Sequence, residues 1–300
     1  MAKKRRGKPI SGVVLVDKPA GMTSNAVVQR IKRIYDAQKA GHTGTLDPFA
    51  TGLLPVCLGE ATKASAFLLD ADKTYEATLK LGARTDTADC EGEVIETAPL
   101  PLLTRDGIVA AMYSLTGEIE QIPPVYSALK KDGKPLYHYA RKGEAVEVAP
   151  RRVQVHRFEL LDFDDAHIRF RATVGKGTYI RTLGEDLAVQ LGTVGHLTQL
   201  RRTETGGFKV DMALPLEVIE AFPETALLPV DRLLSHLPER LLSPEQAERF
   251  QHGNPVAASS QTVERWRVYD GEGRLLGIGV QRDGQLWPQR IFNLPSPSAG

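Results

Sequence analysis

Two hydrophobic periods run through this chain in an order that a doubly wound sheet does not produce. Tyr75, Ala77, Leu79 and Leu81 alternate with Glu76, Thr78 and Lys80, the period of a half-buried strand with Tyr75 on its apolar face. Ile168, Phe170, Ala172 and Val174 repeat the pattern, with His167, Arg169 and Arg171 on the other face. Three other sets recur at helical spacing: Val27, Val28, Ile31, Ile34 and Tyr35; Ile108, Ala111, Met112 and Leu115; and Ile180, Leu183, Leu187 and Leu191. Strands and helices are mixed without regular βαβ alternation. The expected class is therefore α+β, with a mixed, largely antiparallel central sheet flanked by helices.

Boundary signals refine this outline. Val13 to Val16 reads as a short buried strand closed by the turn-rich Asp17-Lys18-Pro19-Ala20-Gly21. Thr23 or Ser24 caps the first helix and Gly41 is its expected stop. A loop spans 41–52, Leu53 to Leu58 reads as a buried strand, and Ala61 to Leu69 as a helix. Gly175-Lys176-Gly177-Thr178 opens the helix that Gly192 ends, with Tyr179 and Arg181 in its first turn, off the apolar stripe. Residues 227–244 become Leu/Pro-rich, which places a boundary near residue 237. Beyond it, Arg265 to Tyr269, Leu275 to Val280 and Leu286 to Ile291 are short strands joined by Asp270-Gly271-Glu272-Gly273 and Asp283-Gly284. The expected division is a flexible basic segment at 1–10, a main domain at 11–236 and a small β domain at 237–298, with the final Pro/Ser/Gly run disordered. A length of 300 residues suits two domains.

Several chemistries drop out cheaply. Cys57 and Cys90 form no C-x-x-C, so a zinc ribbon, a thioredoxin-type site and a disulfide scaffold are not expected, and a reducing cytoplasm suits them. The apolar run after Lys3-Lys4-Arg5-Arg6 stops at Asp17, too short for a signal-peptide core, and no stretch is long enough to span a bilayer. The histidines include no helical metal-binding pair, and there is neither a Walker A loop, a G-x-G-x-x-G nor a G-x-S-x-G elbow. No metal and no cofactor are expected. Net charge is +1, which says nothing about partners.

The run from Gly41 to Gly52, Gly-His-Thr-Gly-Thr-Leu-Asp-Pro-Phe-Ala-Thr-Gly, is too long and too polar for a tight turn. Pro48 disfavours helical geometry at Asp47, so this carboxylate sits on a loop between a helix and a buried strand. Loops held by rigid elements often carry catalytic groups. From the residues alone Asp47 reads first as a turn former bonding its own backbone, and His42 as a satisfied histidine.

Asp17-Lys18-Pro19-Ala20-Gly21-Met22-Thr23-Ser24, the 41–52 loop, Gly59-Glu60-Ala61-Thr62-Lys63, Lys73-Thr74-Tyr75, Tyr126-Ser127-Ala128-Leu129-Lys130, Lys176-Gly177-Thr178-Tyr179-Ile180-Arg181 and Leu200-Arg201-Arg202-Thr203 form an ordered set. It resembles the motif set of bacterial tRNA pseudouridine-55 synthases from about residue 11 to residue 210. The resemblance implies a monomeric enzyme, without metal, cofactor or guide RNA, that converts the T-loop uridine of tRNA to its C-glycoside isomer. It implies Asp47 as the essential aspartate, Arg181 as the guanidinium that keeps it ionised, and Tyr75 as the base-stacking tyrosine. Tyr179 and Leu200 would line the uracil pocket, His42 would fill the gap left by the flipped nucleotide, and Lys18 and Lys63 would contact phosphates or hold the loop. The tail resembles a PUA-type RNA-binding domain of β-barrel-like form.

Between Ala128 and Arg152 seven basic residues occur, Lys130, Lys131, Lys134, Arg141, Lys142, Arg151 and Arg152, interleaved with Tyr137, His138 and Tyr139. Basic and aromatic residues together suit unpaired RNA. Lys130, Lys131, Arg141, Arg151 and Arg152 are the expected backbone contacts, with Arg169, Arg171, Arg201 and Arg202 extending the positive face. A solvated helix and hairpin is the alternative reading of this segment. Two other functions compete: an RNA-binding module without catalysis, and a glycoside hydrolase using Asp47 with a second carboxylate. A positive face predicts that RNA affinity, measured by filter binding across a salt series, falls with a log–log slope of several units. Affinity indifferent to salt removes this face from the account.

Overall fold

The computed structural model describes residues 7–124, 126–127, 129–131, 133–140, 148–258 and 264–294. Strand β1 (Gly12–Lys18) carries the buried valine run. Helix α1 (Ser24–Ile34) follows, capped by the Thr23 hydroxyl, which accepts the Ala26 N–H at 3.1 Å. The helix stops at Tyr35, before the expected Gly41, because Asp36 turns left-handed with φ 47°. Residues 7–10, expected to be flexible, are fastened here: the main chain of Lys8 bonds to Asp36 and Gln38. Residues 1–6 and the terminal 295–300 lie outside the described residues.

After β2 (Ala40–His42) and β3 (Thr51–Leu58), the single helix expected over 61–69 is broken into a 3₁₀ turn (Gly59–Lys63) and α2 (Ser65–Leu69). Thr62 donates its hydroxyl to Gly59 O and Ser65 donates to Thr62 O, local bonds that compete with a continuous helical ladder. The chain continues through β4 (Lys73–Leu81), the small ribbon β5 (Ala83–Thr85) and β6 (Val94–Thr97), α3 (Arg105–Ser114) and β7 (Gly117–Gln121). Next come the hairpin β8 (Lys130–Lys131) and β9 (Lys134–Pro135), α4 (Leu136–Ala140), and the long strands β10 (Arg151–Phe163) and β11 (His167–Val174). Helix α5 (Ile180–Gln190), β12 (Gly195–Thr205), β13 (Phe208–Lys209), α6 (Leu216–Ala221) and α7 (Pro223–Ala226) complete this part.

The main sheet has the order β1-β3-β12-β4-β11-β10-β7, with β2 added to β3 and β13 to β12. All its pairings are antiparallel except β3 with β12, which run parallel at Thr51 and Arg201, Gly52 and Arg202. One face packs against α1, α3 and α5 through Val27, Ile31, Ile108, Met112, Leu183 and Leu187. Tyr75, Ala77, Ala172 and Leu200 point to this same side. The fold is thus α+β, as the hydrophobic periods require.

Residues 239–291 build a second, five-stranded sheet of order β14-β16-β17-β18-β15 from β14 (Glu239–Leu241), β15 (Val256–Ala257), β16 (Arg265–Tyr269), β17 (Leu275–Arg282) and β18 (Gln285–Ile291), with α8 (Pro244–Gln251) against it. Asp283 and Gly284 both take positive φ, 50° and 72°, the two-residue turn that joins twisted hairpin strands. Tyr269, Leu275, Ile278 and Phe292 join Val230, Leu233 and Leu234 in one apolar cluster with Val13, Leu15, Leu53 and Cys57 on the outer face of β1 and β3. Among the described residues no helix is long and apolar enough to cross a membrane.

Gly52 sits where the 41–52 loop enters β3 beside β12. Its φ is +99°, and a Cβ there would lie 2.3 Å from the Arg202 carbonyl oxygen. Gly52→Ala combines left-handed strain with a backbone clash, so it should destabilise the fold by about 1–3 kcal/mol. The urea midpoint, with unchanged m-value, measures this; a midpoint equal to wild type contradicts the packing described.

Candidate active site

Anchors at several points hold the 41–52 loop. The buried Ser24 hydroxyl accepts from Leu46 N–H at 2.8 Å and donates to Leu46 O at 3.0 Å. Lys18, fully buried, donates its ammonium to Pro19 O and Pro48 O at 2.9 and 3.1 Å. Arg202, 1% exposed, donates to Leu53 O at 2.7 Å and to Gly44 O at 3.2 Å, bridging the loop to β3. Leu46 and Ala50 are buried in the core. Pro48 thus restricts Asp47 from one side while these bonds hold its neighbours.

Asp47 projects into a cleft of about 310 Å³ whose lining includes Leu46, Tyr75, Ser127, Tyr179, Arg181, Leu200 and Arg202. Its Oδ2 lies 3.0 Å from Arg181 Nε, and its side chain is 33% exposed where that of Arg181 is 4%. Arg181 is therefore no exposed helix arginine. Its Nη1 donates to Thr87 O at 2.7 Å and meets Asp89 Oδ2 at 3.3 Å, while Nη2 donates to Tyr126 O at 2.9 Å. Asp89 is itself held: its Oδ1 accepts from the Thr87 hydroxyl at 2.7 Å and from Glu91 N–H at 3.0 Å.

Burial pushes the Asp47 carboxyl above the usual carboxylate range, opposed first by the Arg181 guanidinium; the nearby Asp89 charge adds to the rise and the Lys18 ammonium offsets part of it. Burial likewise brings Lys18 down to about 8, against the pull of Asp47. The result is a poorly hydrated carboxylate with one oxygen paired to a guanidinium, facing a cleft. Such a group can attack an electrophilic carbon or take a proton.

The remaining expected residues divide. Tyr75 on β4 and Leu200 on β12 are nearly buried and share the cleft's sheet face, since Leu200 pairs with Ala77. Tyr179 lies at the N-terminus of α5. His42 is not in the cleft lining; it ends β2, half-buried, with Nδ1 accepting Gly44 N–H at 3.2 Å. Burial and the Arg202 charge lower its pKa, so its imidazole is neutral near pH 7. Lys18 holds the loop and has no surface for a phosphate. Lys63 turns away from the cleft, bonding Glu60 Oε2 at 2.6 Å and Ile291 O at 2.9 Å, so it fastens the second sheet to the first.

The expected positive face is reduced. Arg202 is internal, Arg201 forms a two-point pair with Asp17 at 3.0 and 2.7 Å, and Arg169 and Arg171 lie on the sheet face opposite Tyr75, where Arg171 pairs with Glu76. Arg151 and Arg152 are exposed at the start of β10, Arg152 beside Glu118 at 3.2 Å. Lys130 and Lys131 form β8, and Arg141 lies outside the described residues. Asp89, the bond of Ser24 to Leu46 and the inward role of Arg202 carried no local signal. Thr85, Asp86, Thr87 and Gly92 mark a turn, but its partner is 94 residues away.

Residues 32–180 match the family profile of the TruB family pseudouridylate synthase N-terminal domain, residues 181–235 that of the tRNA pseudouridylate synthase B C-terminal domain, and residues 238–292 that of the pseudouridine synthase II TruB C-terminal region. The chain is 53% identical over 289 residues to the tRNA pseudouridine synthase B of Aromatoleum aromaticum, covering 95% of this chain and 93% of that one. It is 48% identical to that of Hydrogenovibrio crunogenus over 98% of this chain and 97% of the relative. The crystal structure of a Cbf5–Nop10–Gar1 complex contains a chain similar at TM-score 0.71 and 27% identity, over 93% of this chain and 84% of that chain. A chain in the structure of an H/ACA RNP bound to a substrate RNA containing 2′-deoxyuridine has TM-score 0.72 at 24% identity, over 99% of this chain and 92% of that one, a likeness of fold. With an aspartate–arginine pair at the floor of its cleft and family matches along nearly its whole length, the chain belongs to the TruB family of pseudouridylate synthases.

Proposed function

We propose that this protein isomerises uridine 55 in the T-loop of tRNA to pseudouridine, acting as a monomer in the cytoplasm without a guide RNA. The observation that carries the reading is the Asp47–Arg181 pair in a cleft walled by Tyr75, Tyr179 and Leu200. The reaction breaks N1–C1′, turns the uracil and joins C5 to C1′. An ionised carboxylate beside the sugar–base junction serves each available route: attack at C1′, an adduct at C6, or removal of the 2′ proton. Arg181 keeps Asp47 ionised despite its burial, and Tyr75 stacks on the base while its glycosidic bond is open, at roughly 1–3 kcal/mol. Flipping the uridine out of its loop costs a few kcal/mol, and His42, neutral and flat, fits the place it leaves.

The hydrolase alternative fails on the second carboxylate. Asp47 is the one acidic residue in the described cleft lining, and Asp89 is buried with both oxygens occupied. A glycosidase needs two carboxyl groups facing the sugar. The division proposed is a catalytic unit through residue 236 and a PUA-like unit at 237–298 that helps hold the tRNA.

Incubating the purified protein with an unmodified tRNA transcript should give pseudouridine at position 55, mapped by reverse-transcription stops at carbodiimide adducts. Asp47→Asn should lower the rate roughly 10⁴-fold or more while leaving tRNA affinity nearly unchanged. Product formed at a wild-type rate by Asp47→Asn overturns the assignment.

The pH profile follows from the raised Asp47 pKa. The reactive form is the carboxylate, so the rate falls as pH drops through that pKa, and the acid limb of the single-turnover rate should lie above the ordinary carboxylate value of about 4. The Lys18 charge favours the Asp47 anion, so Lys18→Met should move this limb to higher pH. Lys18 keeps its proton across this limb, since its own pKa is about 8, so its full charge acts on Asp47 there. An unmoved limb in Lys18→Met contradicts the coupling.

A further inference from the structure

Helix α5 opens without the usual means. Its N-cap is Tyr179, which makes no side-chain cap bond, and its first turn carries no acidic residue. The residue at the third helical position is Thr182, too short to reach back as the Glu or Gln of a capping box does. A serine or aspartate at 179 would cap the helix locally but would remove the phenol ring from the cleft lining.

Gln121, the last residue of β7 and 2% exposed, supplies the missing partner from 58 residues away. Tyr179 N–H donates to Gln121 Oε1 at 3.0 Å, and Gln121 Nε2 donates to Tyr179 O at 3.3 Å. The amide orientation is dictated by chemistry, because only the carbonyl end accepts an N–H and only the NH₂ end donates to a carbonyl. Tyr179 O also accepts the helical bond from Leu183 N–H at 3.0 Å. Gln121 Oε1 therefore occupies the place of a capping-box side chain, delivered by a strand instead of the helix. A few residues on, Tyr126 O accepts from Arg181 Nη2. One stretch of chain thus holds the main chain of Tyr179 and the guanidinium of Arg181.

We propose that Gln121 is a positioning residue for the isomerisation: its carboxamide fixes the Tyr179 main chain, and through it the first turn of α5, so that the Tyr179 ring and the Arg181 guanidinium are set against Asp47. The catalytic part of this inference rests on the function proposed above; the clamp itself does not.

Gln121→Met keeps the shape and removes both bonds. At saturating tRNA its single-turnover rate should fall roughly 10- to 100-fold, the range expected for misplaced reacting groups, with tRNA affinity within about 2-fold of wild type. In the RNA-free protein, hydrogen exchange at the Tyr179 amide should accelerate. Gln121→Glu retains the acceptor, so it should keep Tyr179 protected and lose less rate than Gln121→Met. A folded Gln121→Met enzyme with wild-type rate, or a Tyr179 amide equally protected in both, overturns the proposal. Should Gln121→Met not fold, Gln121→Glu carries the test: a Tyr179 amide exchanging freely there overturns it. Wild-type protein that makes no pseudouridine while its Tyr179 amide is protected and depends on Gln121 refutes the proposed function and leaves the clamp standing.

Discussion

A guanidinium shared by two carboxylates and two carbonyls joins three separate segments of this chain at the cleft. Arg181 touches Asp47 from the loop before β3, Thr87 O and Asp89 from the turn between β5 and β6, and Tyr126 O from the segment after β7. A buried arginine is tolerable only with such a set, because a lone charge away from water costs several kcal/mol. The dependence runs both ways: without Arg181, Asp47 and Asp89 would be like charges in a poorly solvated pocket, and Asp47 would protonate. The electrostatics of the site and its architecture therefore rest on one side chain, presented by a helix whose opening turn is held from a neighbouring strand.

Much of the scaffold was legible because it follows from periodicity. The alternation at Tyr75–Leu81 and Ile168–Val174 placed β4 and β11 and put Tyr75 on the inner face, as observed. Asp283-Gly284 announced its hairpin through turn chemistry alone. What remained hidden depends on distant partners. Nothing near Arg202 says that it will be swallowed to brace Gly44 and Leu53, and the same double-arginine run reads as surface charge until its neighbours are known. Lys18 and Lys63 sit in recognisable motifs, yet Lys18 ties two backbone carbonyls together and Lys63 joins the Glu60 carboxylate to the Ile291 carbonyl. The end of α1 was misplaced because Asp36 accepted a left-handed turn that glycine would have signalled.

The second sheet is attached by more than a linker. Phe292 and Ile278 enter the same apolar cluster as Val13 and Leu53, and the Glu60 carboxylate receives both the Lys63 ammonium and the Asn293 N–H. Burial of apolar side chains at roughly 25 cal/mol per Å² favours keeping this seam closed. The outer face of β1 and β3, which would otherwise expose a strip of valine and leucine, is thereby kept dry. β3 follows the loop that carries Asp47, and Lys18 at the end of β1 bonds to Pro48 O within it, so the strands of the seam are also the ones that hold this loop.

The parallel pairing of β3 with β12 has a consequence for the life of the chain before it is complete. The bond from Arg202 to Leu53 O spans 149 residues, and contacts of such separation close late because the intervening chain must first be ordered. A ribosome-bound fragment that ends before residue 181 presents Asp47 without its guanidinium partner, and one that ends before β12 lacks the strand that backs its loop. The loop that carries Asp47 is thus braced from the sheet only after β12 has been made and has met β3.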